Sequence, residues 1–84
     1  MNTVTVKYFA SVREAIGQSS ESWATQASTL GGLRAELVAR GAGYGQALAA
    51  GQAVRMAQNQ TMGDEATALL DAAEVAFFPP VTGG

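Results

Sequence analysis

Apolar residues change their spacing along this chain, from every second residue to roughly every 3.6 and back to every second, and that order limits the folds open to 84 residues. Val4, Val6 and Tyr8 fall on one face of an extended segment from Thr3 to Phe9, with Thr5, Lys7 and Phe9 on the other. Ser11 to Gly17 reads as a short turn of helix stopped by Gly17 in a left-handed cap. After a connection over Gly17 to Ser20, a second strand runs from Glu21 to Thr25, with Trp23 as core filling. Ser28 or Thr29 caps a helix in which Leu30, Leu33, Leu37 and Val38 recur at helical spacing, ending near Arg40-Gly41. Gly31-Gly32 weakens its first turn by about 1 kcal/mol per glycine relative to alanine. Gly41 to Gly51 reads as a loop or a short helix around Tyr44 and Leu48. Val54 to Gln58 is a third strand, Asn59-Gln60 a turn, and Glu74 to Phe78 the last strand.

Strand, strand, helix, strand, strand in so short a chain predicts an α+β fold, a mixed sheet with one main helix packed across it. A crossover helix between the early and late strands brings the first and last strands together in parallel, which is the β-grasp, or ubiquitin-like, arrangement. The expected organisation is a single β-grasp domain over residues 1–78 and a protruding tail over residues 79–84.

Composition removes most chemistry from consideration. With no Cys and no His there is no disulfide, thiolate nucleophile or imidazole base, and nearly every transition-metal site is excluded; no metal is expected. Net charge is −2, and Lys7, Arg13, Arg34, Arg40 and Arg55 are scattered, unlike a nucleic-acid footprint. The apolar stretches are too short and interrupted to span a bilayer, so the expectation is a soluble cytoplasmic protein. Asp64, Glu65, Asp71 and Glu74 match no ligand spacing and read as a solvated acidic edge. Gly41-Ala42-Gly43-Tyr44-Gly45 superficially resembles a phosphate loop, but no Lys-Ser/Thr follows and no convincing strand precedes it, so it reads as a loop.

Any reactive group must then come from carboxylates, hydroxyls, the single Lys7 or the chain terminus, and the terminus is the distinctive one. Gly83-Gly84 leaves a carboxylate without side-chain bulk, and Pro79-Pro80 favours extended backbone, so the tail is expected to project as a thin, stiffened finger that fits a narrow pocket. If Val75 and Phe77 face inward, Phe78 points outward, as Phe9 does on the first strand. On adjacent strands the two form an exposed apolar patch beside the tail, with Arg13 at its rim and Met62 as a pliable contact: an expected partner interface.

Lys7-Tyr8-Phe9-Ala10 with Val12-Arg13-Glu14, then Asn59-Gln60-Thr61, then Glu74 to Gly84 with its Phe-Phe-Pro-Pro-Val-Thr-Gly-Gly ending, resemble the small subunit of molybdopterin synthase across essentially the whole chain. The sequence departs from that family's pattern at Gly31-Gly32, where better helix formers are usual, and at Ala72-Ala73, where Gly-Asp is usual. The resemblance implies a sulfur carrier. It implies that an ATP-consuming activating enzyme adenylates the Gly84 carboxylate and that a sulfur donor converts it to a thiocarboxylate. The loaded tail then enters the large subunit and gives its sulfur to cyclic pyranopterin monophosphate, building the molybdopterin dithiolene. By the same resemblance Gly84 is the reacting group and Gly83 gives clearance, while Thr82, Val81, Pro80 and Pro79 set reach and direction.

The implied protein is a non-catalytic sulfur-donating subunit, binding no cofactor itself, in a heterotetramer whose catalytic side chains lie on the large subunit. Two other readings stay open: a related β-grasp carrier for thiamine synthesis or tRNA thiolation, and a ubiquitin-like modifier. The Phe-Phe-Pro-Pro approach favours the first reading over the thiamine carrier, and a single lysine, Lys7, argues mildly against chains built on the protein itself.

Overall fold

The alternation in the first segment produces a strand, β1 (Asn2–Tyr8), with Val4, Val6 and Tyr8 buried. The computed structural model describes residues 2–49 and 51–80. After β1 come α1 (Ala10–Ile16), β2 (Ser20–Thr25), α2 (Leu30–Val38), α3 (Ala42–Leu48), β3 (Arg55–Gln58), β4 (Thr61–Gly63) and β5 (Glu74–Phe78). The sheet has the order β2-β1-β5-β3-β4, with β1 and β5 parallel at its centre and the other pairs antiparallel. First and last strands lie side by side beneath the helices: the β-grasp arrangement that the order of periodicities predicts.

Leu30, Leu33 and Leu37 of α2 are fully buried against Val4, Val6, Val75 and Phe77 in the core. Phe77 stacks on Tyr8, ring centroids 6.3 Å apart, and burying such a side chain contributes about 2–3 kcal/mol. Thr29 caps α2, its hydroxyl accepting from the Gly32 N–H at 3.0 Å. Gly17 ends α1 at φ +93°, the left-handed cap expected of it.

Gly31, read from sequence as a weakness, is a site of close approach. Its N–H donates to the Glu65 carbonyl at 3.0 Å, and a Cβ there would lie 2.8 Å from the Glu65 Cβ. The Leu30 N–H is satisfied in the same way by Thr67, so the loop after β4 supplies the acceptors that a helix start lacks.

Four further expectations change. The Gly41 to Gly45 motif, read as a loop, is instead the start of α3, the short-helix alternative for Gly41 to Gly51, in which Tyr44 and Leu48, one turn apart, are both buried. Gly43 brings α3 against α1 so closely that a Cβ would collide with the Ala15 carbonyl, so tertiary packing overrides poor helix propensity. A strand absent from the sequence reading, β4, pairs with β3 through a two-residue turn in which Asn59 and Gln60 both have positive φ, as type I′ hairpins require.

Trp23 is half-buried rather than core filling, since β2 is an edge strand of the sheet. Its indole N–H donates to Glu36 Oε1 at 3.0 Å, and the Arg40 guanidinium lies 4.8 Å from its ring centroid. The acidic edge is partly paired, Glu65 with Arg34 at 3.2 Å and Glu74 with Lys7 at 3.4 Å. Ala72, in the position where the family pattern carries Gly, holds a positive φ of +54°. Among the described residues no helix is long and apolar enough to cross a membrane.

Candidate functional site

Strand alternation assigns one face of the sheet to the helices and leaves the other open. The register places Lys7 of β1 beside Ala76 of β5, Ala76 beside Ala57 of β3, and Ala57 beside Met62 of β4. One step toward the tail, Phe78 is beside Arg55. By strand register all of these are out of phase with the core residues Tyr8, Val75, Phe77 and Met56, so they share the open face, on which Ala57 is itself buried among its neighbours. The two alanines make a shallow floor between larger side chains.

Phe9 joins this face although it has left β1. Its N–H donates to the Phe77 carbonyl at 3.1 Å, extending the parallel ladder one step beyond Tyr8 and Phe77, which brings Phe9 alongside Phe78. Its carbonyl accepts from the Val12 and Arg13 N–H groups, starting α1 and setting Arg13 one turn above it. Phe9 is 47% exposed and Met62 is 55% exposed; Leu70, the third exposed large apolar side chain among the described residues, precedes β5 at the other end of that strand. Phe78 is half-buried, flanked by strands on both sides, and Arg13 is exposed.

The structure therefore sets Phe9, Phe78 and Arg13 together, and Met62 on the same face across the alanine floor. The Lys7–Glu74 pair crosses this face as well; with both side chains about two-fifths exposed, it contributes at most about 1 kcal/mol.

Pro79 and Pro80, both half-buried, continue directly from Phe78. Pro79 helps line a cavity of about 230 Å³ with Ser11, Val12 and Ala15 of α1, Ala47 of α3 and the segment Gln52 to Val54; Pro80 lies beside Ala53, Val54 and Arg55. The expected tail residues Val81, Thr82, Gly83 and Gly84 lie outside the described residues.

Two polar clusters hold the layer beneath. Glu21 Oε2 accepts from the hydroxyls of Tyr8 and Tyr44, both at 2.7 Å, and its Oε1 accepts from Arg40 at 2.9 Å. Burial alone would raise the Glu21 pKa, but the hydrogen bonds from Tyr8, Tyr44 and Arg40 outweigh it and hold the carboxyl below its usual value. Burial, with the same carboxylate as neighbour, pushes both tyrosine hydroxyls up. Arg34, nearly buried, donates to the carbonyls of Leu48, Ala49 and Gln52 and to Glu65, tying down the segment that leads to β3 and the tail root.

Sequence reading missed Arg55 as a member of the open face, and missed Arg34 and Arg40 as structural groups. For Arg55 the signal was present, since it lies one step from Met56 on an alternating strand. For the other two there was none, because their side-chain hydrogen-bond partners are 14 or more residues away in sequence.

A family model described as the ThiS family matches residues 6–84. The chain belongs to the ThiS family. Among its relatives, the molybdopterin synthase sulfur carrier subunit of Escherichia coli (strain K12) is 40% identical over 81 residues, covering 96% of this chain and 99% of that one. This ThiS-family chain thus groups with sulfur carrier subunits over nearly its full length. Its fold is that of the small archaeal modifier protein 1 of H. volcanii, with a TM-score of 0.77, 22% identity and coverage of 96% and 100% of the two chains. A protein–protein complex of subunits 1 and 2 of the molybdopterin-converting factor from Helicobacter pylori 26695 contains a chain matched at TM-score 0.66 and 26% identity, with 98% and 99% coverage.

Proposed function

We propose that this protein is the sulfur-donating small subunit of a molybdopterin synthase, with Gly84 as its reacting group and the open sheet face as its docking surface. The observation that carries the reading is a juxtaposition: the exposed Phe9 and the half-buried Phe78 lie side by side where the Pro79-Pro80 segment leaves the sheet. A partner that covers the pair also receives whatever follows Pro80. The full-length similarity to a sulfur carrier subunit and the subunit 1–subunit 2 complex of the Helicobacter protein support the same assignment, with the large subunit as partner.

The chemistry follows from the weakness of a carboxylate as an electrophile. In the proposed sequence an activating enzyme brings ATP; a Gly84 carboxylate oxygen attacks the α-phosphorus, pyrophosphate leaves, and an acyl-adenylate forms. Sulfur at the sulfide level, delivered as hydrosulfide, attacks the acyl carbon; AMP leaves, the proton is lost, and a C-terminal thiocarboxylate remains. Glycine presents that carbon without a β-carbon in the way. In the large subunit the thiocarboxylate sulfur bonds to cyclic pyranopterin monophosphate, and water cleaves the acyl carbon–sulfur bond to restore the Gly84 carboxylate, so two loaded chains build one dithiolene. Gly83, Thr82, Val81, Pro80 and Pro79 set the tail's clearance, reach and direction, while Phe9, Phe78, Met62 and Arg13 bind the partner surface. No side chain here acts as a catalyst; ATP is consumed by the activating enzyme, and nothing is bound permanently.

Intact-mass analysis after incubation with activating enzyme, ATP and a sulfur source tests this. Exchange of one terminal oxygen for sulfur adds about 16 Da. Absence of that species, together with undiminished molybdopterin formation by a chain lacking Gly84, contradicts the proposal.

A further inference from the structure

Three of the five cations are already paired: Lys7 with Glu74 at 3.4 Å, Arg34 with Glu65 at 3.2 Å and Arg40 with Glu21 at 2.9 Å. Arg13 and Arg55 make no ion pair among the described residues. Both lie at the end of the sheet where the tail begins. Arg55 is the register partner of Phe78, so Phe9, Phe78 and Arg55 follow one another across the face, while Arg13 is one helical turn from Phe9 on α1. An apolar pair thus has an uncommitted guanidinium group at its β3 side in a chain whose net charge is −2.

Arg55 is exposed and stands between two hollows. One, of about 310 Å³, is shared with Ala53, Val54 and Pro80; the other, of about 220 Å³, is shared with Met62, Gly63, Asp64 and Glu65. The carboxylates of the second hollow are occupied elsewhere. Glu65 is taken by Arg34, and Asp64 Oδ1 accepts from the Ala66 N–H and the Thr67 hydroxyl. Arg55 makes no side-chain hydrogen bond among the described residues, although a guanidinium is built for bidentate pairing.

We propose that Arg55 is a recognition residue of the docking face, pairing with a carboxylate that the large subunit presents beside its apolar seat for Phe9 and Phe78. The inference rests on the docking reading given above and adds the chemistry of the partner surface, an apolar seat with an acidic residue on the β3 side. Apolar contact is non-directional, so the phenylalanine pair alone leaves the docked chain free to rotate about the patch. A charge pair beside Pro80 removes that freedom and fixes the direction in which the tail leaves.

Association with the cognate large subunit, measured by calorimetry across a series of salt concentrations, decides the matter for the wild type, Arg55→Gln, Arg55→Glu and Phe78→Asp. Arg55→Gln is expected to bind several-fold more weakly and Arg55→Glu at least about ten-fold more weakly near 0.15 M salt, the gap narrowing as salt screens the pair. Their melting temperatures should match the wild type, because Arg55 is exposed and holds nothing in the fold. If both Arg55 variants bind as tightly as wild type while Phe78→Asp does not bind, the Arg55 assignment is wrong and the docking face stands. Wild-type binding by Phe78→Asp overturns the docking face, and the role of Arg55 with it.

Discussion

Phe77 and Phe78 are neighbours in sequence and opposites in structure. Phe77 is fully buried against Tyr8 in the helix-covered layer; Phe78 is half-buried on the open face beside Arg55. The contrast extends to the whole sheet. Beneath it, Glu21 accepts from three side chains, Arg34 donates to four groups, and among the described residues no buried side-chain polar atom lacks a partner. Above it, Phe9 and Met62 are about half exposed and Arg55 is uncommitted. A strand's period of two thus divides stability and docking between alternate residues, and each can be changed without the other.

Substitutions on the two faces should separate cleanly. Phe77→Ala is expected to cost about 3–5 kcal/mol of unfolding free energy, read by chemical denaturation, because it leaves a cavity at the centre of the core. A loss below about 1 kcal/mol would show that the inner layer is looser than its burial implies. Phe78→Asp should leave the unfolding midpoint near that of wild type while weakening association with the large subunit by about 2 kcal/mol or more, the scale of an interface hot spot. If it unfolds the domain instead, the division between faces fails at its central residue.

Glu21→Gln is smaller, about 1–3 kcal/mol, since one amide oxygen cannot replace a carboxylate that accepts two hydroxyls and a guanidinium. It should leave binding unchanged. Acid denaturation gives the mildest test. Glu21 is held below the usual carboxylate value as described; for Glu36, burial would raise the pKa, but bonds from Thr25, Trp23 and the Gln26 N–H outweigh it and lower it. A depressed folded pKa contributes stability fully above the unfolded value of about 4.3 and loses it as pH falls through the folded one. The unfolding midpoint should therefore be flat above about pH 5 and fall below about pH 4, less steeply in Glu21→Gln.

What was legible in the sequence follows from the same division. Alternation from Val4 to Tyr8 and from Val75 to Phe77 gave both faces, and the Leu30, Leu33, Leu37 spacing gave the covering helix. The outward position of Phe9 and Phe78 needed only that period and the parallel pairing. Three features needed the third dimension. β4 has three residues and exists through the Asn59-Gln60 turn; α3 overcomes its glycines because Gly43 fits against Ala15; Trp23 is half-buried because its strand became an edge. The partners of Arg34 and Arg40 arrive from distant segments, which no local pattern announces.

The claim that the open face receives the partner is tested most directly by an NMR titration of isotope-labelled protein with the cognate large subunit. The account predicts the largest perturbations at Phe9, Arg13, Arg55, Phe78 and the residues after Pro80, weaker ones at Ala57, Met62 and Ala76, and little change along α2. Perturbations concentrated on α2, with Phe9 and Phe78 unmoved, would contradict it.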